Sequence, residues 1–119
     1  MLTVASSCNL YAEPTDPIVK ELDEAHQARI AKAGELAGEM MACSFDWEKY
    51  YLGFMQLERA RGKSEGWSDK KMAAIGAYFG FNQQQTFEKY KGQACSDEKM
   101  EELLSRMKQI LKDETPTSS

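Results

Sequence analysis

A chain of 119 residues with 42% hydrophobic and 10% aromatic content is long enough to bury a core as one domain, and too apolar to be disordered. Its net charge of −4 repels a phosphate backbone and argues against a nucleic-acid partner. No run approaches the ~18 apolar residues of a spanning helix, which excludes a membrane span of that kind.

Residues 1–15 make a mildly apolar arm without a basic start, either the remnant of a signal peptide or a disordered segment. Cys8 lies in it. The helical domain is expected over 16–113, where Asp16 can cap and Pro17 fits a first helical position. Ile18, Leu22, Leu36 and Met40 predict a first helix over 18–42, carrying Gly34 and Gly38 one turn apart. Ser44 is expected to cap a second helix over 45–61, loaded on one side with Trp47, Tyr50, Tyr51, Phe54 and Leu57.

Gly62, Ser64 and Gly66 predict a loop, after which Ser68 caps a third helix with Trp67 placed as its hydrophobic staple. That helix holds the most apolar run, 72–81, with Gly76 and Gly80 again one turn apart, and ends at Gly92. Paired glycines predict a close crossing of the first and third helices. Ser96 caps a fourth helix striped by Met100, Leu103, Leu104, Met107, Ile110 and Leu111. Residues 114–119 are a polar tail expected to be disordered. No segment alternates like a strand, so the expected fold is all-α, a four-helix bundle in a single domain.

Cys43 and Cys95 each precede a helix in an Ala-Cys-Ser context. In an up-down bundle the second and fourth helices start at the same end, so a disulfide between them is predicted, which suits a periplasmic or secreted protein. Two free thiols in a cytoplasmic protein are the alternative.

Catalytic signals are poor. Asp23-Glu24-Ala25-His26 spells a helicase box without the phosphate loop that should accompany it. Gly62-Lys63-Ser64 lacks the first glycine of a P-loop. His26, the single histidine, is expected on the surface among carboxylates, and one histidine with three scattered cysteines supplies no metal site. Neither an enzyme nor a cofactor is expected. Tyr78, Phe79 and Phe81 cannot all face one core from one helix, so either the helix is buried all round or part of it meets a partner. Trp67, Arg61 and Lys63 add an aromatic and two cations at the second loop. These six residues are the candidate contacts for a protein partner or for a homodimer.

Two segments, Ala42-Cys43-Ser44-Phe45-Asp46 and Gln93-Ala94-Cys95-Ser96-Asp97-Glu98-Lys99, resemble those of the HdeA-type periplasmic acid-stress chaperones. The resemblance spans about 42–112 and implies a helical fold with one disulfide, and a dimer that opens in acid to expose apolar surface. Only the pairing of Cys43 with Cys95 carries over by residue. The long first helix and the glycine-containing third depart from that pattern. The expected function is a small exported protein-binding domain without catalytic activity, with an acid-stress chaperone or an immunity protein against a secreted toxin as alternatives.

Overall fold

Asp16 accepts the Ile18 N–H at 3.1 Å and starts a short 3-10 turn, Pro17–Glu21, rather than the long helix predicted from residue 18. The structure, a computed structural model, describes residues 13, 14 and 16–115. The remaining arm, with Cys8, and residues 116–119 lie outside the described residues. Leu22 is extended, and Asp23 then restarts the chain by accepting the His26 N–H at 2.8 Å, so the first true helix, α1, is Glu24–Ala42. An aspartate that satisfies a helix-start N–H gives the chain an alternative to continuing the previous turn. Gln27 ties the two pieces together by donating to the Leu22 carbonyl at 2.9 Å. The turn's Val19 and Leu22 are buried, and it packs on the third helix.

Helix α2 is Trp47–Glu65 and is not capped by Ser44. Ser44 adopts φ 57 and donates its N–H to Met41, while the Phe45 N–H reaches Met40 at 2.8 Å. This pair of bonds closes the carboxyl end of α1, so Ser44 serves the helix before it. Gly62, predicted to open the loop, sits inside α2, and a Cβ there would lie 2.8 Å from the Trp67 ring. The helix ends at Gly66, which has φ 71 and whose left-handed conformation suits glycine. Ser68 caps α3, Asp69–Tyr90, through the Lys71 N–H, and Ser96 caps α4, Asp97–Glu114, through that of Lys99. Helix α4 therefore includes Glu114, where the sequence predicted the start of a disordered tail. Four α-helices and no strand occur among the described residues.

The α1–α3 crossing is backbone against backbone. A Cβ on Gly34 would meet the Phe79 carbonyl at 2.5 Å, and one on Gly38 would meet that of Gln83 at 2.5 Å and Thr86 at 2.7 Å. Positions rising together along both helices mean that α1 and α3 run the same way. The α3 side of this contact is made by Phe79, Asn82, Gln83 and Thr86, not by a second glycine pair. Gly76 instead faces Met55 of α2 at 3.9 Å, and Gly80 is buried. Phe79 anchors the core against Tyr51 and Phe54 at centroid distances of 5.1 and 5.6 Å, and Tyr50 donates its hydroxyl to the Ala33 carbonyl at 2.9 Å.

Candidate functional site

Helix α4 is fastened differently at its two ends. At its start, Cys95 is bonded to Cys43 at the end of α1, with the two Cα atoms 5.7 Å apart. The all-α bundle closed by one disulfide is thus the fold of this chain. Further along α4, Lys99 and Arg106 reach Glu39 of α1 at 2.7 and 2.8 Å. Burial pushes the Glu39 carboxyl up, but the hydrogen bonds from Arg106 and Lys99 outweigh it and hold the group below its ordinary value.

The far end is more unusual, because three titratable side chains are buried together. His26 is 5% exposed, Glu58 0% and Glu114 1%. The His26 Nε2 lies 2.9 Å from a Glu58 oxygen. Arg29 bridges the two glutamates, at 3.1 Å from Glu58 and 2.9 Å from Glu114. Arg61 donates to the Glu114 main-chain carbonyl at 3.0 Å, with its carboxylate 4.0 Å away. Glu58 Oε2 and Glu114 Oε1 meet Arg29 as ion pairs without a hydrogen bond, and neither carboxyl oxygen of Glu114 has a hydrogen-bond partner. Two carboxyl groups side by side in an apolar interior cannot both ionise without cost. Burial, then the neighbouring Glu58 carboxyl, pushes Glu114 up to about 8, against the opposing pull of Arg29 and Arg61. Burial, then the charges of Arg29 and Lys71, pushes His26 down to about 4. At neutral pH the imidazole is therefore neutral and donates to Glu58, and Glu114 keeps most of its proton.

Above this cluster opens a cleft of about 310 Å³ lined by Arg29, Arg61, Lys71, Asp23, Glu65 and the Trp67 ring, whose indole N–H donates to Glu65 at 3.3 Å. Lys71 Nζ lies 4.6 Å over the Trp67 ring, and the His26 ring lies 4.9 Å from it on centroids. The lining holds no hydroxyl or thiol. Three cations and two carboxylates thus surround one indole, leaving a modest positive excess in the cleft. No group of three or more His, Cys, Asp or Glu side chains suited to a metal occurs among the described residues.

Of the predicted partner contacts, Trp67 and Arg61 come together in this cleft, while Lys63 is exposed outside it. Phe79 is 0% exposed and Tyr78 is buried, so neither offers a contact surface; Phe81 is half-buried and stacked on Tyr78. The apolar run of α3 buries Ala74, Ile75, Tyr78, Phe79 and Gly80, while Ala73 is exposed and Met72, Gly76, Ala77 and Phe81 are half-buried, so the helix is not buried all round. His26, expected on the surface, is buried because Glu58 satisfies it. Glu58, Glu114 and Arg29 escaped the sequence reading. For Glu58 alone a signal was present: 50, 54, 58 and 62 form one row of α2, and a glutamate in that row takes a core position.

No helix among the described residues is long and apolar enough to cross a membrane. Comparison with protein families, with curated proteins and with solved structures finds no match for this chain.

Proposed function

We propose that this chain is an exported, periplasmic or secreted, protein-binding domain without catalytic activity, and that it receives an acidic segment of its partner in the Trp67 cleft. The carrying observation is that Arg29, Arg61 and Lys71 outnumber Asp23 and Glu65 in a cleft beside a half-buried indole, in a chain of net charge −4. Long-range attraction to carboxylates is then focused on one place, and the indole adds apolar area there. The disulfide supports the exported location. A secreted toxin neutralised by this domain is one partner of the required kind. Leu52, 59% exposed, is the one large apolar side chain that stands free among the described residues, which favours this polar surface over an apolar homodimer face.

Binding is tested by titrating a Trp47→Phe protein, in which Trp67 is the remaining indole, with a glutamate-rich peptide. A saturable change in emission that weakens with salt and is lost in Lys71→Glu is expected. An unchanged signal, or equal binding by Lys71→Glu, refutes the cleft as the docking site.

A second reading, an acid-stress chaperone like the HdeA family, is supported by the buried neutral His26, since a histidine held down in the fold makes acid destabilising. Dye binding and suppression of client aggregation at pH 3 are its expected signatures; a folded, dye-free protein at that pH rules it out.

A further inference from the structure

Resting on the reading of the Trp67 cleft as a docking site, we infer that Glu65 holds from within the chain the place that a partner's carboxylate takes. Binding then exchanges one carboxylate for another. Glu65 is the last residue of α2 and is exposed. The Trp67 indole N–H donates to its Oε1 at 3.3 Å, and its side chain lines the cleft with Arg29, Arg61 and Lys71. That bond is longer than the roughly 2.7–3.2 Å of a well-formed N–H···O contact, and it lies open to water.

Most of the other charges in the cleft are already committed. Asp23 accepts the His26 N–H and starts α1. Arg29 is held by Glu58 and Glu114, and Arg61 by the Glu114 main-chain carbonyl. Two charged groups are left. Among the described residues Lys71 pairs with no carboxylate and Glu65 with no cation, although both border the same indole. An incoming carboxylate can take both contacts that Glu65 leaves apart, the indole N–H and the ammonium.

The exchange leaves the fold alone. The Trp67 ring is seated by Gly62, where a Cβ would come within 2.8 Å of it, and by His26 at 4.9 Å on centroids. Its N–H therefore keeps its aim when Glu65 departs. Glu65 itself precedes Gly66, the left-handed residue that ends α2. The partner is specified by the same contacts: it presents an exposed Asp or Glu side chain, because a neutral amide offers the indole an acceptor but offers Lys71 no charge.

The test titrates the full, disulfide-intact Trp47→Phe chain with a hexaglutamate peptide, reading affinity from Trp67 emission and the contact from the indole Nε1–H resonance. Glu65→Gln keeps an acceptor and removes the charge; Glu65→Ala removes both. Affinity should rise about threefold in Glu65→Gln and further in Glu65→Ala, and the gain should shrink as salt is added. Glu101→Gln, an exposed acid of α4 outside the cleft with the same change of net charge, should bind like the Trp47→Phe parent. In Glu65→Ala the peptide should move the indole resonance more than in the parent, where one carboxylate replaces another. Equal affinities for Glu65→Gln and Glu101→Gln overturn the inference. So does weaker binding by Glu65→Ala, or an indole resonance that the peptide leaves in place. Binding by the parent without those gains overturns the inference and spares the cleft; no binding by any of these chains overturns both.

Discussion

The α1–α3 crossing and the seam holding α4 join helices by opposite means. At the crossing, two glycines remove side chains so that backbone meets backbone, and no charge takes part. Along the seam, α4 buries Leu103 and Ile110 in the core and is fixed besides by a disulfide, by Glu39 with Lys99 and Arg106, and by Glu114 with Arg29 and Arg61. The first contact depends on volume and is indifferent to pH and redox state. The second adds to its apolar contacts a disulfide and ion pairs, which do respond to redox state and pH. One bundle thus carries a crossing set by backbone approach and a seam that adds a disulfide and ion pairs.

The largest expected effect strikes the seam alone. Replacing Cys43 and Cys95 together by serine should lower stability by about 4 kcal/mol in urea denaturation, the chain-entropy value for a sequence separation of 52. Exchange should then quicken first in α4; equal quickening across the α1–α3 crossing would break the distinction.

The crossing is attacked by Gly38→Ala. The added methyl meets the Gln83 carbonyl and Thr86, and overpacking against backbone should cost about 3 kcal/mol. Gly76→Ala is the matched control: its nearest neighbour is a flexible methionine end at 3.9 Å, and it should gain up to about 1 kcal/mol from helix propensity. Similar losses for both would mean that glycine spacing, not close approach, was being measured.

Titration sharpens the comparison further. His26 is held at about 4, below its ordinary 6.5, so the unfolded chain takes up that proton first and stability is lost as pH falls through this range. Glu114 is held at about 8 against 4.5, so its contribution is complete below 4.5 and is lost as pH rises towards 8. Between 4.5 and 6.5 each state holds one proton, on Glu114 when folded and on His26 when unfolded, and the slopes cancel. Global stability should therefore be flat there and fall by about 2 kcal/mol from pH 6.5 to 8. Below 4.5 it should fall again, with the depressed Glu39 adding to the loss. Glu58→Gln should flatten the alkaline limb. The smallest effect is expected from Glu102→Gln, an exposed member of the Lys99 network, which should leave the melting temperature unchanged.

Apolar spacing, the caps Ser68 and Ser96, the terminator Gly92 and the pairing of Cys43 with Cys95 were legible in the sequence because each is decided within a few residues or by helix order. Ser44 and Gly62 misled for one reason: both types break helices in isolation, and here Ser44 closes α1 while Gly62 makes room for Trp67 within α2. The polar cluster was illegible in a stronger sense. Glu58 and Glu114 stand at core positions of their rows, but what makes that tolerable, Arg29 and His26, comes from a different helix. A single chain pattern marks such a glutamate as misplaced without naming its partner.

The bond between Cys43 and Cys95 also changes what cleavage can do. The α2–α3 corner, with Lys63 exposed and Gly66 at its turn, is an accessible place for a protease. It lies between the two sulfurs, so a cut there yields two peptides that still travel as one mass until a reductant arrives. Damage at that corner would remain hidden on a non-reducing gel.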